Sequence, residues 1–219
     1  MSEEDLQVHC NECGGVRVQH VRSVVRVPRT DEIADGYFTS EEATYRTLQC
    51  GGCETVTLRE DYWFSEWEAG TTTYYPPHVT RKLPPWAWRL RPITNGDSPS
   101  QYMFGVLKQI YDAIAVEAYA LAAMGVRALL EHVMVTTVSD KGTFARNLRA
   151  LADAGHVTER ERVRLEQVLD VGNAAIHRAY LPDKGDVFTS LDIAEHVVAS
   201  LYIHDQAIAG VSGRVPKRS

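Results

Sequence analysis

Four cysteines, the only ones in the chain, fall into two Cys-x-x-Cys pairs: Cys10 and Cys13 in His-Cys-Asn-Glu-Cys-Gly, and Cys50 and Cys53 in Gln-Cys-Gly-Gly-Cys-Glu. A gap of two residues lets both sulfurs of a pair reach one ion from a tight turn, and the adjacent glycines ease such turns. Two such pairs make the thiolate set of a closed, structural zinc site. An iron–sulfur cluster would use the same four ligands. Two disulfides would suit a secreted domain, but the start of the chain is acidic and polar rather than an apolar export signal. A redox pair normally stands alone beside a βαβ pattern, and none is visible. The 36 residues between the pairs exceed the commonest ribbon spacing.

Further candidate chemistry lies in the C-terminal half. In Gly172-Asn-Ala-Ala-Ile-His177, Asn173 and His177 are four apart and share a helix face. An imidazole there can move a proton and an amide can position a phosphate; hydrogen bonding inside a bundle is the plainer role. Gly172 within a helix costs about 1 kcal/mol unless another backbone approaches closely. Arg127 and Glu131 stand four apart in an apolar stretch, which reads as an ion pair between helices or as a cation for a phosphate. Arg160, Arg162 and Arg164 alternate with glutamates, the pattern of a solvated face. No P-loop and no Gly-x-Ser-x-Gly elbow is present.

These residues need elements to hold them. Val16–Val27 alternates as a half-buried strand, which Pro28 is expected to end. Residues 29–42 are polar and acidic and read as a long excursion. Strands return at Thr44–Gln49 and from Thr55 toward Phe64. The fold class is therefore α+β: a zinc ribbon over residues 1–62, then a helical bundle over 101–210. Residues 63–100 hold all four tryptophans and Tyr74-Tyr-Pro-Pro77, and read as a connector with its rings packed on a domain. Met103–Met134 reads as two packed helices meeting near Ala122–Gly125. A shorter helix follows with Gly155 as its C-terminal cap. Thr158 and Glu161 have capping-box spacing for the next helix, which should run to about Ala179. Ser190 is the expected cap of the last helix. The tail, 211–219, reads as disordered.

The chain has 219 residues and a net charge of −6. Asp and Glu outnumber Lys and Arg by 15 to 10 in residues 1–99 and by 14 to 13 thereafter. A broadly basic, nucleic-acid-coating surface is excluded, although a local patch is not. No apolar run is expected to cross a membrane, and reduced cysteines point to the cytoplasm.

The order of these pieces resembles a known family. Two Cys-x-x-Cys pairs, Tyr75-Pro76-Pro77, Leu83-Pro84, Glu117-Ala118, Gly125-Val-Arg-Ala-Leu-Leu-Glu131 and Gly172-Asn-Ala-Ala-Ile-His177 resemble the domain-of-unknown-function 4145 family, which often follows a zinc ribbon. That family is considered similar to the HEPN superfamily of helical domains. Several HEPN domains are metal-independent RNases, with an Arg and a His separated by four to six intervening residues and a site completed across a homodimer. The resemblance implies a HEPN-like bundle, a homodimer and an RNA or protein partner. It matches His177 and Asn173 to the motif. The arginine positions hold Asp170 to Gly172 instead, so a degenerate, non-catalytic module is expected. The alternatives are an endoribonuclease using His177, Asn173 and a displaced cation such as Arg127 or Arg178, and a protein–protein adaptor.

Overall fold

A computed structural model describes residues 5–91, 99–204 and 207–208. The tail expected to be disordered, 211–219, and part of the connector, 92–98, lie outside the described residues. The chain forms two compact units that divide between Thr80 and Arg81.

The first unit is one antiparallel sheet in chain order: β1 (Leu6–Cys10), β2 (Gly15–Ala34), β3 (Tyr37–Cys50), β4 (Val56–Phe64) and β5 (Thr71–Tyr75). Each strand folds back on the last, so both knuckles fall at turns, β1–β2 and β3–β4. The expected excursion at 29–42 is instead the far half of a long hairpin. β2 runs on through Pro28, which pairs with Glu42, and turns at Gly36 with φ +73. Pro28 is tolerated because β1 pairs with β2 only up to Gln19; beyond it, β3 is the one described neighbour of β2 at Pro28, and proline sits well on an edge. β5 also lies in the stretch read as connector, as the other edge strand.

This sheet has little hydrocarbon inside it. Its buried apolar side chains among the described residues are Val8 and Leu48, with Cys10 and Cys50. Polar pairs tie its faces instead. Asp61 accepts from Arg46, from Arg59 Nη2 at 2.7 Å and from Thr72 Oγ1 at 2.7 Å. On the opposite face the hydroxyls of Tyr45 and Tyr75 both donate to Glu60 at 2.9 Å. Such pairs, partly open to water, add little to folding stability.

The second unit is helical. A 3₁₀ turn (Pro85–Leu90) precedes α1 (Pro99–Ala115), α2 (Tyr119–Val138), α3 (Phe144–Asp153), α4 (Glu159–His177) and α5 (Lys184–Ala199). Its core runs from Ala87 and Leu90 through Leu107, Leu129 and Leu165 to Leu191 and Val198. Of the connector tryptophans, Trp86 packs on this core. Trp63, Trp67 and Trp88 are about half exposed, at 47%, 48% and 54%, so the expected burial of the rings holds for one of four. The α1–α2 junction lies at residues 116–118, earlier than expected. There Glu117 takes φ +58 and the Ala118 N–H returns to Ala113 O. The small residues at 122–125 serve close packing: a Cβ on Gly125 would come within 2.6 Å of Ile110 Cγ1.

α2 is long and apolar enough, by length and composition alone, to cross a membrane, against the expectation that no such run exists. Its apolarity has another use. It packs against α1, α3, α4 and α5 and buries seven side chains, Val126, Leu129, Leu130 and Val133 among them.

The caps follow the sequence in part. Gly155 takes φ +77 just past α3. Thr158 and Glu161 form a full capping box at the start of α4. α4 ends at His177 rather than Ala179, because Ala179 takes φ +49, outside helical geometry. Ser190 does not cap α5; it is 3% exposed in mid-helix. Asp183 caps that helix, in a second capping box with Asp186, and starts it about two turns earlier.

The capping box at α4 has a pH signature. Hydrogen bonds from the Thr158 backbone N–H and hydroxyl hold the Glu161 carboxyl below its usual range, with His196 adding to the effect. A lowered folded value means that the contribution is complete above the unfolded pKa, about 4.3, and is lost as pH falls through the folded one. Glu161→Ala is therefore expected to cost about 1 kcal/mol at pH 7. Urea titrations of the two proteins should converge below about pH 4; a gap unchanged by acid would contradict the assignment.

Candidate metal centre and the α4 site

The sheet brings the two knuckles together. Cys10 ends β1, Cys50 ends β3, and Cys13 and Cys53 sit one turn further on. All four sulfurs lie within 4.8 Å of one another. Cys10 and Cys53 Sγ are 3.5 Å apart, and Cys13 and Cys50 Sγ 3.9 Å. A tetrahedron of thiolates with metal–sulfur bonds of about 2.3 Å has edges near 3.8 Å, so the quartet fits a closed metal site. Backbone donors support it in both knuckles: Cys13 N–H points to Cys10 Sγ at 3.5 Å and Gly52 N–H to Cys50 Sγ at 3.4 Å.

The thiols are not alike. The Thr55 hydroxyl, 3.2 Å from Cys53 Sγ, and the Thr55 backbone favour the Cys53 thiolate and lower its pKa to about 6. Backbone N–H groups of Cys53 and Gly52 lower that of Cys50. Cys13, hydrogen-bonded to Cys53 and its neighbours, is pushed up to about 12. Two thiols thus approach the ionised form that a cation needs, and a bound cation would supply the field to ionise the rest. A Cβ at Gly52 would meet Cys13 Sγ at 3.5 Å and Cys50 Sγ at 3.8 Å, ordinary contact distances, so its place is against the quartet without glycine being required by space.

In the helical unit the structure separates some of the expected site residues and joins others. His177, the last residue of α4, is exposed. Among the described residues it makes no hydrogen bond, to Asn173 or to any arginine. Arg178, next to it in sequence, is turned back along the helix. Its Nη2 donates to Asp170 Oδ1 at 2.5 Å and to Asp170 O at 3.1 Å. Arg127 and Glu131 form no ion pair among the described residues; the Arg127 guanidinium lies over the Phe144 ring, 4.8 Å from its centroid. Arg127 and Asn173 do meet, lining one groove of about 250 Å³ with Phe144, Glu166 and Asp170. Arg178 and Asp170 line a second, of about 430 Å³, with Tyr180. His177 lines neither.

Residues 108–215 match the family model described as Domain of unknown function (DUF4145). Over those residues the helical part of this chain is similar to that family. The match begins within α1, so the sheet and its cysteine quartet lie outside it. No curated protein and no solved structure matches the chain.

The helical unit also holds a partly buried, multiply paired charge, Arg81, that its local sequence does not announce. Arg81 Nη2 reaches Asp192 at 2.6 Å and Glu195 at 2.9 Å, and its Nε donates to the Tyr111 hydroxyl at 3.2 Å. Burial works against its charge, but these partners outweigh it and raise its pKa above the ordinary value. The cluster joins the chain just after Thr80 to α1 and α5. Nothing in the local sequence marks Arg81, because its partners lie 30 to 114 residues away.

Proposed function

We propose that this chain is a non-catalytic binding protein, a zinc-stapled ribbon followed by a HEPN-like DUF4145 domain. The reading has it act in the cytoplasm as a homodimer and recognise a protein partner. One observation carries the non-catalytic part. The arginine adjacent to His177 is committed to Asp170, and His177 stands exposed without a hydrogen bond. RNA cleavage of the HEPN kind needs a cation at the scissile phosphate beside the proton-transfer group. Loss of such charge stabilisation typically costs about 100- to 1000-fold. Here Asp170 occupies the place of that cation in sequence and neutralises the nearest substitute.

Zinc is favoured over other metals because four thiolates in a tetrahedral quartet suit it, and it adds no redox chemistry. A protein partner is favoured over nucleic acid for two reasons. The net charge is −6. The sheet also presents large apolar groups to solvent, Val25, Ile33 and Phe38 on the long hairpin among them, at 56%, 64% and 58% exposure. The zinc centre then supplies no reaction step; it holds the ribbon's two turns.

The test is incubation of the purified chain with unstructured RNA in EDTA. No cleavage above background is expected, and His177→Ala should behave as wild type. Cleavage that is abolished in His177→Ala, with its melting temperature kept, would replace this reading with an endoribonuclease. In that case Arg127, which shares a groove with Asn173, is the cation to examine next.

A further inference from the structure

Asn11 is the first residue inside the Cys10–Cys13 turn, and its side chain is partly buried. Its Nδ2 donates to Pro77 O at 2.8 Å, and its Oδ1 accepts from the Val79 N–H at 2.8 Å. One amide thus grips both sides of residue 78. The ring of His78 is held too, stacked on Tyr74 at 4.0 Å between centroids and tilted against His9 at 5.5 Å. Residues 77–79 follow β5, have no strand partner among the described residues, and owe their two backbone hydrogen bonds to Asn11 of the knuckle. The turn that aims Asn11 is fixed by Gly14 N–H to Cys10 O at 2.9 Å and by the Cys13 N–H to Cys10 Sγ contact. Those are the bonds that a metal between the sulfurs would lock.

From this geometry we propose that the metal centre is a latch. Metal binding fixes the first knuckle, the knuckle aims Asn11, and Asn11 fastens residues 77–79, the last stretch of the sheet unit before the chain enters the helical unit. Loss of the metal releases that stretch. The inference rests on the metal reading of the cysteine quartet and adds a role for a residue that is not itself a ligand. Asn suits the position because it offers a donor and an acceptor on two separate atoms of one planar group; ionised Asp lacks the donor and Ala lacks both.

The test is hydrogen exchange at the Val79 amide in the full chain, with metal content measured on each sample. In metal-loaded wild type this amide should be protected. In Asn11→Ala the metal should stay at one per chain, while Val79 protection falls about fivefold or more, the effect of losing a single hydrogen bond. Asn11→Asp keeps the acceptor and should retain part of the protection. Chelation of wild type should expose Val79 as Asn11→Ala does. If Val79 stays protected in metal-loaded Asn11→Ala, the latch is wrong and the metal site stands; if it stays protected after complete chelation of wild type, the latch and the metal's hold on the sheet both fail. If purified wild type holds no metal, the metal reading fails and the latch with it.

Discussion

Removing the metal under reducing conditions is expected to unfold the five-stranded sheet and leave the helices intact. The sheet buries two aliphatic side chains, Val8 and Leu48, beyond the thiols themselves. Full burial of such a side chain contributes about 1.5–3 kcal/mol. Exposed ion pairs and tyrosine–carboxylate bonds add little to that. A zinc ion bound as proposed would contribute far more, about 10–16 kcal/mol in small zinc-finger peptides. Circular dichroism during chelation should therefore lose strand signal while helix signal persists. Cys50→Ser, which removes a buried ligand, should reproduce the result without chelator. A sheet that keeps its melting temperature through either change would contradict the account.

Two glycines should respond in opposite directions to the same substitution. A Cβ on Gly172 would lie 2.9 Å from Ala123 O and 2.9 Å from Arg127 Cβ, so α2 and α4 cross there at backbone contact. Alanine improves helix propensity by about 1 kcal/mol. The carbonyl is backbone and cannot swing away, so the helices must part; such overpacking costs about 1–3 kcal/mol and opens a seam in the core. Gly172→Ala should lower the stability of the helical unit and displace Arg127 from Phe144. Gly105 on α1 has no atom within 4 Å of its would-be Cβ. Gly105→Ala should raise stability by about 0.5–1 kcal/mol. Urea melts of the two variants separate a packing glycine from an idle one. Equal shifts would mean that α2 and α4 are not in contact at Gly172.

Legibility from sequence followed the range of the interactions involved. The cysteine quartet was readable because each pair is local and chemically singular, although its joining across 36 residues was an inference from type alone. The Thr158–Glu161 box and the Gly155 cap were readable because a cap depends on three or four neighbouring residues. The cost of Gly172 predicted a close approach, and the structure supplies the partner. The errors have equally physical causes. Residues 29–42 look polar because both faces of that hairpin meet solvent, so alternation carries no signal there. The α1–α2 break at Glu117 rests on one positive φ at a residue type that gives no warning of it. Ser190 has capping chemistry, but Asp183 seven residues earlier has more, and the helix absorbed the serine. The pairing of Arg178 with Asp170, eight residues apart across a helix end, required coordinates.

The central claim is that one zinc ion sits among four thiolates and holds the sheet together. X-ray absorption at the zinc edge of the purified chain tests it most directly. The account predicts about one zinc per chain with four sulfur neighbours at about 2.3 Å and no nitrogen. Absence of zinc, sulfurs joined as disulfides, or a mixed shell in which His9 or His20 replaces a cysteine would contradict it.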